Sequence, residues 1–282
     1  MPTSQRRHRT ERISLPPLDP QRYAPTPERP VRAKSRVLAH HEDIHAHHHG
    51  WGQLVFSISG VVRVSTERAT YLVPPSRAVW IPPGVIHAVT AIEQVHLRTL
   101  YLHQHPDRIG PGLPSGTVAA AAWADCRVME VSPLLRELVL QLAQLSHESA
   151  SEREHWLASL IEDELRRANC LRLGIDLPQD KRLRRFCEAL LQDPQRHADL
   201  EGWAAEVGAS TRTISRLFRQ ELGSSYVQWR QQVLLARALT LAARRQPMGL
   251  IAAELGYASA SAFSAMVTRT VGMPPSRFFA EA

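Results

Sequence analysis

The chain has 282 residues, 44% hydrophobic and 22% charged, with a formal net charge of +7 and an isoelectric point near 9.9. That length suffices for two domains, each with its own core, and the basic excess suits a protein that touches nucleic acid. No run is long and apolar enough to cross a bilayer, the first residues lack the apolar segment of a secretory signal, and Cys126, Cys170 and Cys187 show no paired spacing. These features argue against a membrane-spanning helix and a disulfide scaffold, and predict reduced thiols in a cytoplasmic protein with no membrane partner.

Residues 1–38 carry nine basic and three acidic side chains, seven prolines and few large apolar groups, which predicts a disordered basic tail. From 39 to 131 the pattern turns to short β-rich runs such as LVFSIS, VVRVS and AVWIPPG, punctuated by Gly60 and proline turns. Many short strands divided in this way point to a sandwich or closed barrel. If His45 to His49 is extended, His45, His47 and His49 share one face, and His87 from another strand converges with them. Trp51, Phe56 and Trp80 are candidates for pocket lining, with core packing the stronger reading for aromatic residues.

The spacing His47-x-His49-x3-Gln53-x6-Gly60 resembles the first signature of the cupin barrel, with Gln53 where that family usually has Glu. Downstream, Pro82-x-Gly84-x2-His87 resembles the second signature, with Ser76 and Ala91 in place of its usual Gly and Asn. The resemblance covers about residues 38–104 and implies a small barrel with a central pocket. Its effector-binding candidates are His47, His49, Gln53 and His87. No resident cofactor is assigned. A divalent metal on His47, His49 and His87 is the alternative occupant, but Gln53 cannot supply the carboxylate that offsets such an ion in enzymatic cupins.

Between 132 and 172 the period becomes helical: Leu134, Leu135, Leu138, Leu142 and Leu145 in one segment, then Trp156, Leu157, Leu160, Ile161 and Leu165 in another. An antiparallel hairpin follows, which either pairs two subunits as a homodimer or packs on the barrel. LGIDLPQ reads as an interdomain linker over 173–179.

Residues 180–282 hold a helical pattern in two copies. One runs from Trp203 to Trp229 and the other from Ile251 to Phe278. Each opens on Ala-x-x-x-Gly, with Gly208 and Gly256 48 residues apart, whereas Gly223 and Gly272 are 49 apart. A small residue before a Gly turn lets two helices cross closely, as a helix-turn-helix requires. Ser210 or Thr211 can cap the second helix of the first copy, whose apolar stripe is Ile214, Leu217, Phe218 and Leu222. Arg212, Arg216 and Arg219 then face outward. The first two are placed for guanine edges or phosphates, Arg219 for phosphate, and Thr213 lies beside them.

In the second copy Phe263, Met266, Val267, Thr270 and Val271 form the expected inward stripe. Ser261, Ala265 and Thr268 face outward, with Arg269 to one side, and suit close groove contact. The extra residue lies in the turn. Tyr226 to Ala243, without Gly or Pro, predicts a connecting helix of roughly 27 Å, against about 34 Å between successive major grooves.

ASTRTISRLFRQELG, SYVQWR, IAAELGY and the closing G-x-x-P-x-x-F resemble the DNA-binding domain of the AraC/XylS family of bacterial transcription regulators, over about Asp180 to Phe279. Departures are Ala262, Thr270, Pro274 and Phe279, all in the second copy. The resemblance implies two helix-turn-helix units joined by a long helix and recognising direct-repeat promoter sites. The expected architecture is α+β in two domains: an N-terminal cupin-like barrel with a helical hairpin, then an all-α DNA-binding domain. The expected function is an effector-responsive transcription regulator with double-stranded promoter DNA, a small molecule and RNA polymerase as partners, and no catalytic residues. The competing class is a metal-dependent cupin enzyme with a DNA-binding tail, which Gln53 and Ala91 disfavour.

Overall fold

The computed structural model describes residues 13–17, 20–40, 42–75, 77–145, 151–171, 173–197 and 199–279. The strands are β1 (Ile13–Leu15), β2 (Val31–Leu38), β3 (Glu42–His47), β4 (Gly52–Ser57), β5 (Val62–Thr66), β6 (Ala69–Val73), β7 (Arg77–Ile81), β8 (His87–Ala91), β9 (Val95–Leu102), β10 (Arg108–Ile109), β11 (Leu113–Pro114), β12 (Arg127–Glu130), β13 (Cys170–Leu171) and β14 (Ile175–Asp176). Twelve of them make two six-stranded sheets, ordered β1-β3-β8-β5-β6-β14 and β13-β12-β7-β4-β9-β2. Inward valines and leucines such as Val55, Val62, Val64, Val79, Val89 and Leu97 fill the space between them.

β2 corrects the expectation of a disordered tail over 1–38 and moves the barrel's start ahead of residue 39. It pairs with β9 along its whole length, from Val31 opposite Leu102 to Leu38 opposite Val95. Strand alternation turns Val31 and Ala33 toward the helical side, whereas Lys34 and Arg36 line the barrel interior and the buried Arg32 donates to Arg22 O at 3.4 Å. Upstream, β1 pairs parallel with β3, and α1 spans Pro20–Tyr23. Arg29 forms a bidentate pair with Glu154, which is only 4% exposed, through Nε to Oε1 at 2.9 Å and Nη2 to Oε2 at 2.8 Å. Residues 1–12 of the expected tail lie outside the described residues.

After the short α2 (Val118–Ala121) come α3 (Pro133–Gln144) and α4 (Glu152–Arg167), capped by Ser132 and Ser151. Leu135, Leu138, Leu142, Leu157, Ile161 and Leu165 seal against Val31, Leu54, Phe56, Trp80 and Leu100 on the outer face of the second sheet. That face is tight at Gly52, where a Cβ would lie 2.0 Å from the Trp80 ring. Trp80 is fully buried and its Nε1 donates to Trp123 O at 2.9 Å, so it has nowhere to go. Gly52→Ala is therefore expected to cost about 1–3 kcal/mol, seen as a lower urea midpoint at unchanged m value.

The segment expected as the interdomain linker, 173–179, is docked on the barrel. Ile175 and Asp176 form β14 against β6, and Leu173, Ile175 and Leu177 are buried. Their alternation is that of a strand, which anchors the chain to the barrel edge before the helical domain begins. That domain comprises α5 (Lys181–Gln192), α6 (Leu200–Glu206), α7 (Thr211–Leu222), α8 (Tyr226–Ala243), α9 (Met248–Glu254), α10 (Ala260–Val271) and α11 (Pro275–Phe278). α8 packs on β6 and β14. The buried Arg77 of β7 donates to Phe278 O at 3.0 Å, and Arg244 pairs with Glu93 at 2.9 Å.

Candidate functional site

Three imidazoles meet inside the barrel, placed there by a register shift, a loop and the start of β8. A register shift between Ile44 and His47 in the β3–β8 pairing turns His47 inward opposite His87. The loop after β3 carries His49 inward, and Gln53 enters from β4. The shift also corrects the expected shared face: His45 is exposed and pairs with Ser14 Oγ at 2.9 Å. His47, His49 and His87 each offer a ligand atom within 4.8 Å of the others.

The second ring nitrogen of each is already engaged. Nδ1 of His47, His49 and His87 lies 2.8, 2.9 and 2.9 Å from the backbone carbonyls of His45, Trp51 and Val85. A carbonyl only accepts, so Nδ1 carries the proton and Nε2 presents a lone pair. Burial lowers the pKa of all three, most for His87, which falls to about 3, so the rings are neutral near pH 7. Gln53 Oε1 lies 2.5 Å from His49 Nε2 and 3.2 Å from His87 Nε2. Lone pairs facing an amide oxygen are reconciled by a cation between them, or by the amide turned so that its NH2 donates.

Such an arrangement fits a divalent late first-row ion. The donors are three neutral nitrogens and one amide oxygen, and each imidazole has the outer hydrogen bond that orients a metal-ligating histidine. It equally fits a ligand that donates to the three Nε2 atoms.

Around the cluster the structure places Trp51, a lining candidate, and adds Tyr101 and Lys34, which sequence reasoning missed. Trp51 stacks on His49 with ring centroids 4.9 Å apart, whereas Phe56 and Trp80 face the helical hairpin. Tyr101 lies edge-on to His49 at 5.6 Å, and its hydroxyl sits 3.2 Å from Lys34 Nζ. Desolvation lowers the Lys34 pKa to about 8 and raises that of Tyr101. The alternation Val31-Arg32-Ala33-Lys34, apolar and basic in turn, was the available signal for Lys34.

The second candidate surface is the outer face of α7 and α10. Gly208 takes φ 65° between α6 and α7, and Ser210 caps α7 by accepting from Thr213 N at 3.1 Å. Ile214 and Phe218 are buried, while Arg212, Arg216 and Arg219 are exposed. Arg216 Nη1 donates to Gln220 Oε1 at 2.9 Å. Thr213 is half-buried, with Oγ1 3.0 Å from Ser210 Oγ.

In the second unit Ser259 caps α10, three residues past Gly256 where Ser210 is two past Gly208, so the extra residue sits in the turn. Ser261, Ala265, Thr268 and Arg269 are exposed, and Phe263, Met266 and Val267 are buried. Thr270, expected inward, is exposed: its hydroxyl bonds back to Met266 O at 2.9 Å instead of entering the core. Pro274 gives α11 no side-chain cap, whereas Ser225 and Gln228 form a capping box on α8.

Comparison with known proteins divides the chain in the same way. The family described as AraC-like ligand binding domain matches residues 35–168, and the helix-turn-helix domain family matches residues 203–281. The HTH-type transcriptional regulator NimR of Escherichia coli is 31% identical over 235 residues, 83% of this chain and 81% of that protein. The arabinose operon regulatory protein of Salmonella typhimurium is 30% identical over 116 residues, 40% of this chain and 41% of that protein. Among solved structures, ToxT from Vibrio cholerae aligns at TM-score 0.36 and 10% identity, covering 89% of this chain and 98% of that one.

Proposed function

Because the chain belongs to the AraC family of transcription regulators, with a ligand-binding domain ahead of a helix-turn-helix domain, we propose residue roles for both halves. It is a DNA-binding regulator that responds to a small-molecule effector, and it is not an enzyme. The effector sits in the barrel against His47, His49, Gln53 and His87. Arg212, Thr213, Arg216 and Arg219 of α7 engage one major groove and its phosphates, while Ser261, Ala265, Thr268 and Arg269 of α10 approach the next and hold register. The observation that carries this reading is the α7 face: three exposed arginines lie opposite the buried Ile214 and Phe218.

Effector binding changes regulation by preferring one arrangement of the two domains. The contacts that respond are those of α8 on β6 and of Arg77 on Phe278. RNA polymerase is the downstream partner, and the compartment is the cytoplasm. Arg219 is assigned to phosphate. Arg219→Ala is expected to weaken cognate and scrambled duplexes equally and to reduce the slope of log K against log salt by about 1. A loss confined to the cognate site in fluorescence anisotropy would reassign it to a base.

The hairpin is proposed as a homodimer face, since it leaves Leu134, Trp156 and Leu160 outward, the latter two 59% and 49% exposed. Sedimentation at micromolar concentration is expected to show a dimer that Trp156→Glu dissociates. A divalent ion is the second proposed occupant of the pocket, supported by the carbonyl-bound Nδ1 atoms. Bound on His47, His49, His87 and Gln53, it would supply a Lewis-acidic anchor for the effector. Elemental analysis of the purified protein then finds one equivalent per chain, lost in His49→Ala.

A further inference from the structure

The charged side chains that border the lumen cavity, Lys34 and Arg36, are both cations, and no carboxylate is among its described lining residues. Lys34 is 7% exposed, and among the described residues its ammonium has one hydrogen-bond partner, the Tyr101 hydroxyl at 3.2 Å, and no ion pair. The Tyr23 and Tyr101 rings flank it at 5.4 and 5.5 Å. Arg36 is already spent on Pro16 O at 3.1 Å. A hydroxyl and two ring faces repay only part of the cost of taking an ammonium out of water. The neutral imidazoles and the Gln53 amide offer it no opposite charge, and an ion held by them adds charge of the same sign.

What this cavity lacks is an anion. We propose that its ligand is a small organic carboxylate or similar oxyanion, its negative end held by Lys34 Nζ and Tyr101 Oη and its body against His47 and Gln53. This rests on the reading of the pocket as the effector seat. The present free volume, about 10 Å³, is that of a single water. Pro17 forms part of its wall, and the strand before it pairs with β3 over only three residues. A ligand of several atoms displaces this segment as it enters.

The test uses the full chain at constant ionic strength, with acetate, pyruvate and malonate as probes and acetamide, pyruvamide and malonamide as their uncharged partners. Thermal melting reads binding to the wild type, Lys34→Met, Lys34→Gln and His49→Ala. At least one carboxylate at millimolar concentration is expected to raise the melting temperature by several degrees where its amide does not. Either Lys34 variant weakens that response at least tenfold, and Lys34→Met melts higher than the wild type without ligand because a buried, unpaired charge is gone.

The proposal is overturned if no carboxylate shifts melting, if amides act equally, or if the response survives in both Lys34 variants. An amide response lost in His49→Ala would keep the pocket and discard the anion. A carboxylate response unchanged in His49→Ala and in both Lys34 variants would discard the pocket as well.

Discussion

Arg212→Ala combined with Arg216→Ala is expected to weaken binding to the cognate promoter by about 2–5 kcal/mol, roughly 30-fold to 5,000-fold in affinity. Both guanidinium groups project from the first half of α7, the end a recognition helix inserts most deeply. The hydrogen bond from Arg216 to Gln220 extends its guanidinium along the helix surface, so the fork is partly ordered before DNA arrives. Neither residue packs in the core, so the variant keeps its stability within about 0.5 kcal/mol. Competition anisotropy with cognate and scrambled duplexes is the measurement. The ratio of the two affinities is expected to shrink, because base contacts carry discrimination while phosphate contacts do not. An equal loss on both duplexes would assign these arginines to phosphate alone.

Trp229→Ala is expected to cost about 3–5 kcal/mol of stability, the range for deleting a large buried aromatic. Its side chain is almost fully buried among Phe186, Trp203, Ile214, Phe218, Ile175 and Leu177, and so closes the core of the first helix-turn-helix unit. It also reaches outside that unit, since Nε1 donates to Asp176 O at 2.7 Å and β14 pairs with β6. One indole thus ties the reading unit to the barrel edge. Trp229→Phe separates the two roles: it keeps most of the buried ring and loses the hydrogen bond, for about 1 kcal/mol plus the smaller volume. Urea unfolding of both variants checks the ranking, and a Trp229→Ala protein as stable as the wild type would contradict the packing described.

The helical domain was legible because independent local signals coincide there. The connecting helix runs over Tyr226–Ala243 as its sequence predicts, Ser210 caps α7 after a left-handed Gly208, and the extra residue of the second copy sits in its turn. The barrel's beginning was not legible. Charged residues normally mark a solvated segment, but β2 buries Arg32 and turns Lys34 into the lumen, and Arg29 answers Glu154, a carboxylate buried on a helix 125 residues away. No local pattern encodes a partner at that distance.

The histidine cluster was legible in membership and not in geometry. His47, His49, Gln53 and His87 do converge, but the bulge that excludes His45 depends on pairing with β8, which spacing alone does not reveal. In the linker, Leu173, Ile175 and Leu177 alternate like a strand, and the neighbouring Gly174 and Pro178 made the segment read as a tether.

The proposed coupling between pocket and DNA has a continuous route through this docking. His87 opens β8, β8 pairs with β5, β5 with β6, and β6 receives both β14 and α8. A ligand that shifts the first sheet therefore acts on the helix between the two reading units without any further element.

Hydroxyl-radical footprinting of the full chain on its promoter, with scrambled duplex as competitor, tests the central claim most directly. Two protected segments on one face of the DNA, about one helical turn apart and lost only to cognate competitor, are the predicted result. Continuous protection that scrambled duplex removes equally well would contradict it.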